Sequence, residues 1–453
     1  MEPLGQRTGA QPRARTVIRR SRQVLSHGAT HRMVVGSALA GLAAYGFQVA
    51  GARALGDVEY APIGVLWTIQ YLLLSVVLYT VEAYVTRLVV LDRQRPVGIR
   101  RAVLTLSAIL MVLASVVAAV TYLFSDALFH GLHDLALVAG LTVGTYGAFV
   151  IVRGLFAGRD RFGAYGVATA LESLARLALA LPVLWLAPST RSLAWIMPVG
   201  ALVAALWWWI GNAVRPPSER PRWNETGSAP ARPLSFVGVT GTANAAAQLI
   251  LAGGPLVLVV LSASPAEVSV FFVATTVARA PLVLAYGGLL SRIMRRLVEL
   301  AEEADDQAMC RVARRTAGAS GLAAVVGGMI AWALGPAVIA AFFGATFRPP
   351  SWLASGAVAG VLLATGTLVL NQLLIAAGRE RRMLTPWLWA AFAALLIVVS
   401  SPVEPLGTVT IAFVAAEVVA LVGLMLTICP RGGMRMPATM RDERPGGEGQ
   451  GTG

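Results

Sequence analysis

The sequence predicts an all-α, polytopic membrane protein of about twelve transmembrane helices in two six-helix lobes, with both termini in the cytosol. Three observations carry this. Of 453 residues, 57% are hydrophobic and only 13% charged, with a mean hydropathy of +0.69, too apolar for a soluble chain of this size. Apolar runs of eighteen or more residues recur from Met33 to Ile428, each able to cross roughly 30 Å of hydrocarbon as a helix. The arginines gather in alternate connections between those runs, as the positive-inside bias requires.

The first 32 residues carry seven arginines and no apolar core before Met33. No cleavable signal peptide is therefore expected, and residues 1–32 read as a disordered cytosolic arm. Hydropathy with Gly, Pro and charge breaks then places spans at Met33 to Leu55, Ala61 to Val90, Ala102 to Phe124, Leu135 to Ala157, Gly163 to Leu186 and Ser192 to Val214. These form an N-terminal lobe, residues 33–214. A polar, Pro-rich cytosolic linker occupies 215–233. The second lobe, 234–428, holds Leu234 to Leu261, Val268 to Ser291, Ala317 to Phe343, Trp352 to Ala377, Leu384 to Ser400 and Leu406 to Ile428. Residues 429–453 form a second disordered tail. Between the eighth and ninth spans, Arg292 to Arg315 is rich in Arg, Glu and Asp and reads as an amphipathic helix lying along the membrane surface.

Every basic residue is arginine, and of the 37 only Arg53, Arg191 and Arg348 fall in connections that this arrangement places outside. An odd number of spans would break the alternation. A formal charge of +14 does not imply nucleic acid, because the arginines sit in short loops instead of on one folded face. Cys310 and Cys429 both fall on the cytosolic side, where no structural disulfide is expected. The outside loops are short, the longest lying around Ser125 to Asp134, so no extracytoplasmic domain is available for catalysis.

The two halves repeat. GDVEYAPIG at Gly56 to Gly64 parallels SPAEVSVFF at Ser264 to Phe272, and AGRDRF at Ala157 to Phe162 parallels AGRERR at Ala377 to Arg382. Six spans per repeat, an even number, relates the halves by an axis along the membrane normal, an arrangement that can enclose a central cavity.

ARALGDVEYAPIGVLWTIQYLL, FAGRDRFGAYGVATALESLARLAL, SPAEVSVFFVATTVARAPLVL, FFGATFRPPSWLASG and LLIAAGRERR, in this order and spacing, resemble the polysaccharide flippases. That family belongs to the superfamily of multidrug and toxic compound extrusion transporters and lipid II flippases, and the resemblance covers Met33 to Ile428. It implies a V-shaped, two-lobed bundle in the inner membrane. Such a bundle would move undecaprenyl-diphosphate-linked oligosaccharide between leaflets by alternating access, without a cofactor. The glycan polymerase and glycosyltransferases of the same pathway would be its partners, with membrane lipid around it.

Ionisable groups deep in lipid are costly and mark candidate sites. Glu172 and Arg176 bracket the midplane of the fifth span, four residues apart with the acid first, the favourable order for a same-face pair. They read either as a structural tie or as part of the substrate path. Arg279 in the eighth span has no partner visible on its own helix, and it reads either as a helix-packing group or, since its planar guanidinium suits a diphosphate, as the pyrophosphate contact. Basic residues line the cavity of the resembling transporters. Asn244 and Gln248 on the seventh span read first as interhelical hydrogen bonders and otherwise as cavity groups, and Asn371 and Gln372 on the tenth and Glu417 on the twelfth are the weaker candidates that complete the cavity. Glu82 and Arg87, near the cytosolic end of the second span, are expected to reach water by snorkelling.

Other motifs lead nowhere. His130, His133 and Asp134 make an HxxHD cluster in a short outside loop, with no further ligand nearby to complete a metal site. GVTGTAN at Gly238 has no preceding strand and is not a dinucleotide loop. Gly140/Gly144 and Gly356/Gly360 read as close helix packing. The competing functions are ion-coupled drug efflux, which wants a buried carboxylate such as Glu172 or Glu417, and a membrane-embedded glycan-assembly enzyme, which wants acids or histidines in a large outside loop. A major-facilitator reading fails at Leu91 to Arg101, where the Asp-Arg is present but the glycines are misplaced.

Overall fold

Lipid offers the backbone no hydrogen bonds, so a chain this apolar satisfies them internally as helix. The computed structural model describes residues 12–92, 99–213, 233–281 and 306–429, with side chains from 32 to 208, 242 to 281 and 306 to 429, and no strand occurs among them. Helix α1 (Pro12–Leu73) passes through a π-helical turn (Leu74–Leu78) into α2 (Tyr79–Asp92). There follow α3 (Ile99–Leu123), the short α4 (Ser125–Phe129), α5 (Asp134–Gly158), α6 (Phe162–Leu186) and α7 (Thr190–Ala213). The second half holds α8 (Pro233–Ala252), α9 (Gly254–Val260) and α10 (265–281). It ends with α11 (Asp306–Phe343), α12 (Ser351–Ala376), α13 (Leu384–Ser400) and α14 (Pro405–Ile428).

Nine described helical stretches are long and apolar enough to cross a membrane, or ten with the bent pair α8–α9. The longest, Arg32–Asp92, is two of the predicted spans. Gly56 breaks it at φ 76° and ψ 178°, and the rings of Phe47 and Trp67 stack with centroids 5.7 Å apart. In one straight helix those residues would stand about 30 Å apart, so the chain reverses at Gly56. Helix α10 begins the eighth predicted span, whose remainder lies outside the described residues.

Several expectations change. The arm 1–32 is not wholly irregular, since α1 already begins at Pro12 and the first span extends through good helix formers such as Arg and Leu. Residues 306–315, expected in a surface helix, are the unbroken start of α11; the rest of that segment lies outside the described residues, as do most of the linker and tail. The seventh span bends by 70° between Ala252 and Gly254, where Pro255 at the start of α9 offers no N–H to continue the ladder. Cys310 and Cys429, expected free, are joined by a disulfide with their Cα atoms 5.0 Å apart, because the start of α11 packs against the end of α14. Glu82 does not snorkel: its side chain is 12% exposed and lies 3.3 Å from Arg153.

Both halves of the repeat close their fourth turn in the same way. Asp160 and Gly378 take left-handed φ values, and the following N–H reaches back five residues, from Arg161 to Phe156 and from Arg379 to Leu374, each at 2.9 Å. The turn is displaced by two residues relative to the sequence match.

With lipid on both sides of the comparison, helix association rests on close packing and not on burial from water. The glycine pairs supply it. A Cβ at Gly140 would meet Ala118 of α3 at 2.7 Å, and one at Gly360 would meet Phe413 of α14 at 2.2 Å. Buried side chains then report the shape. Phe47, Tyr60 and Leu193 of the first lobe share one cluster with Phe272, Phe343 and Leu353 of the second, near the arginine-poor connections. Toward the arginine-rich end the clusters separate, Val85, Tyr146 and Ala204 in one lobe and Leu370, Trp387 and Leu424 in the other. The lobes meet at the arginine-poor end and part toward the opposite one.

Candidate functional site: the cleft between the lobes

Where the lobes part, three polar groups of the second lobe face the first. The Tyr45 hydroxyl donates to the Thr276 carbonyl at 3.0 Å. The Asn244 amide donates to the Ser75 carbonyl at 3.1 Å, on the π-helical turn, an irregularity frequent at functional sites. Between these levels sits Arg279. It does find a partner on its own helix, one turn back: its Nε donates to the Thr275 carbonyl at 3.0 Å and its Nη2 lies 3.4 Å from the Thr275 hydroxyl, while its Cζ stands 5.7 Å from the Tyr71 ring centroid across the cleft.

Counting from residue 265, Arg279 lies about 20 Å from the arginine-poor start of α10, near the apex of the cleft. It is half-buried, and among the described residues no carboxylate pairs with it. A cation held by a carbonyl, a hydroxyl and a ring face keeps donors in reserve, since guanidinium carries five N–H groups. That arrangement can take an anionic group entering from the open side.

The eight predicted residues do not form one wall. Arg279 and Asn244 reach across the cleft, and Gln248, one turn beyond Asn244, has a buried amide oxygen without a partner. Glu172 and Arg176 pair within the first lobe, 5% and 2% exposed. Tyr146 donates to Glu172, Ser173 donates to it at 2.6 Å, and the guanidinium lies 4.8 Å from the Trp67 ring centroid. Glu417, 1% exposed, accepts from Thr367 at 3.1 Å between α12 and α14. Asn371 accepts from Trp387 at 3.2 Å inside the second lobe. Gln372, beside it on α12, is half-buried.

Sequence reasoning missed the second charged cluster of the first lobe. Arg153 faces Glu82, Tyr165 donates to Glu82 at 2.9 Å and also bonds Arg153, and the guanidinium lies 4.5 Å from the Tyr165 ring centroid. The available signal was two opposite charges at similar depth on the second and fourth spans. In the connection between α4 and α5, His133 bonds Ser125 and Asp134 pairs with Arg191 at 3.2 Å, so the two are turned to different partners.

Cavities among the described residues also lie elsewhere. A groove of about 620 Å³ on the second lobe is lined by Gly321, Ala324, Gly328, Met329, Ser355 and Leu363. A pocket of about 360 Å³ at the arginine-poor end lies between α4 and the α9–α10 turn, lined by Asp126, His130, Ser262 and Ser264. Partial burial lowers the pKa of His130.

Neither a protein-family model nor a curated protein sequence matches the chain. Solved structures do. A multidrug resistance MATE family transporter of the MOP superfamily in an inward-facing conformation is matched with TM-score 0.59 and 15% identity, over 86% of this chain and 93% of that one. An outward-facing MATE transporter gives TM-score 0.51 and 16% identity, over 88% and 94%. A MOP superfamily transporter from Pyrococcus furiosus, whose binding pocket is described as having reverse polarity, gives 0.54 and 15%, over 88% and 94%. This multi-pass membrane chain has the two-lobed fold, six helices to a lobe, of MOP superfamily transporters.

Proposed function

We propose that the protein flips an undecaprenyl-diphosphate-linked oligosaccharide from the inner to the outer leaflet of the inner membrane by alternating access. The arginine-rich end then faces the cytosol and the cleft is open inward. The observation that carries this is Arg279: a permanently charged fork deep in its span, paired with no carboxylate among the described residues, at the apex of a cleft that opens where the arginines gather. A diphosphate is a bidentate match for it. Fold alone does not choose the cargo, and the cationic group in the cleft is what supports an anionic one. The glycan polymerase and glycosyltransferases of the pathway are the proposed partners.

The test is export of lipid-linked glycan in a complementation strain. Arg279→Ala should abolish export while the protein still reaches the membrane, and Arg279→Lys should restore part of it, because an ammonium keeps the charge without the fork. Full export with alanine contradicts the diphosphate role.

A second reading, drug efflux, is favoured by Glu417, a buried carboxylate of the kind ion coupling uses, and by neighbours whose names describe multidrug transporters. Glu417→Gln separates the readings. A flippase whose cargo is held at Arg279 keeps its export, whereas an antiporter coupled at this carboxylate loses transport and its pH dependence.

A further inference from the structure

Arg53 is one of the three arginines that run against the charge bias of the chain, and the fold gives it a task. It stands at the end of the first span, exposed, and crosses from the first lobe to the last turn of α11 in the second. Its Nε donates to the Phe342 carbonyl at 2.7 Å and its Nη2 donates to the Ala341 carbonyl. These lie among the final carbonyls of a helix, which have no intrahelical donor and carry the negative end of the helix dipole. The chain leaves α11 through Gly344 at φ 110°, where a Cβ would stand 3.9 Å from the Arg53 Cγ.

The same end holds the aromatic seal. Tyr60 of the first lobe lies between Phe272, with centroids 6.3 Å apart, and Phe347, at 6.0 Å. The seal gives the closed end area, and Arg53 gives it directed bonds. Among the described residues no carboxylate pairs with Arg53, so its bonds fall on backbone acceptors alone. An exposed guanidinium can exchange those acceptors for water without burying a charge. Glu172 and Arg176, paired inside one lobe, have no such exchange.

We propose that Arg53 is a latch: a cationic cap, donated by one lobe to the α11 C-terminus of the other, that holds the arginine-poor end shut while the cleft is open at the opposite end. The latch rests on the alternating-access reading, and its test is independent of the cargo.

Ser269 is 0% exposed and lies on the α10 face that carries Phe272 and Thr276 toward the first lobe, at helical spacing. Ser269→Cys is introduced into the full chain, and a membrane-impermeant maleimide is added to intact cells and, separately, to inverted vesicles. From the arginine-poor side the cysteine should react slowly. Adding Arg53→Gln should speed labelling roughly ten-fold, an equilibrium shift of about 1.4 kcal/mol. Arg53→Lys should fall between, which also guards against misfolding, since a misfolded lysine variant would label like the glutamine one. Equal rates with and without Arg53→Gln overturn the latch and leave transport standing. No labelling from that side in any variant contradicts opening there, and with it both the latch and alternating access.

Discussion

At the residue scale, the charges sort by whether a partner was present in the same helix. Glu172 and Arg176 were legible because their four-residue spacing is local, and the fold adds Tyr146 and Ser173 to saturate the carboxylate. Truncating one member of a buried pair strands the other, typically at about 3–5 kcal/mol. Arg176→Met should therefore lower the folded yield and melting temperature in detergent, while the double change Glu172→Gln with Arg176→Met should recover most of both. Export by the recovered double variant is expected if the pair is a structural tie; a folded but inactive double variant would place it in the transport path. Arg153 and Glu82 were not legible as a pair, because their 71-residue separation says nothing until the second and fourth spans are set side by side. Arg53 was visible only as an exception to a bias; its acceptors are backbone carbonyls, which no sequence pattern marks.

At the element scale, the span positions followed from apolar runs and the breaks between them, since a helix is the only way these runs can satisfy their backbone in lipid. What escaped was local geometry. The π-helical turn at Leu74–Leu78 has no compositional mark, whereas the 70° bend before Gly254 was marked by Gly253, Gly254 and Pro255 and was passed over because the run around them is apolar throughout. The glycine pairs were read correctly as packing devices, and they make a sharp prediction. Gly360→Ala places a methyl 2.2 Å from Phe413 and should lower the melting temperature, overpacking costing about 1–3 kcal/mol. Gly318→Ala, which meets nothing within 4 Å, should leave it unchanged or raise it through helix propensity of about 1 kcal/mol. The disulfide was missed because compartment argued against it, whereas the packing of α11 on α14 brings the two cysteines together. Maleimide should label Cys310 and Cys429 in the unfolded protein only after reduction; two reactive thiols before reduction would contradict the bond.

At the scale of the whole molecule, the repeat predicted two like lobes and the positive-inside bias predicted which connections lie together. The relation between lobes was beyond the sequence, because no local pattern marks how one lobe sits against the other. Phe47, Tyr60, Phe272 and Phe343 belong to one cluster, which shuts the arginine-poor end. The cleft with Arg279 at its apex depends on how the lobes meet, which is why eight candidate residues chosen by depth dispersed over the cleft and two lobe interiors. Depth finds costly groups; the lobe interface decides which of them can meet a ligand.

The central claim is that this cleft moves a lipid-linked glycan, and deletion of the gene in its host tests it most directly. Lipid-linked oligosaccharide on the cytosolic face and polysaccharide at the surface are measured together. Accumulation inside with loss outside is the predicted result. Unchanged amounts of both, with increased sensitivity to cationic drugs, would contradict it and leave efflux as the function of the cleft.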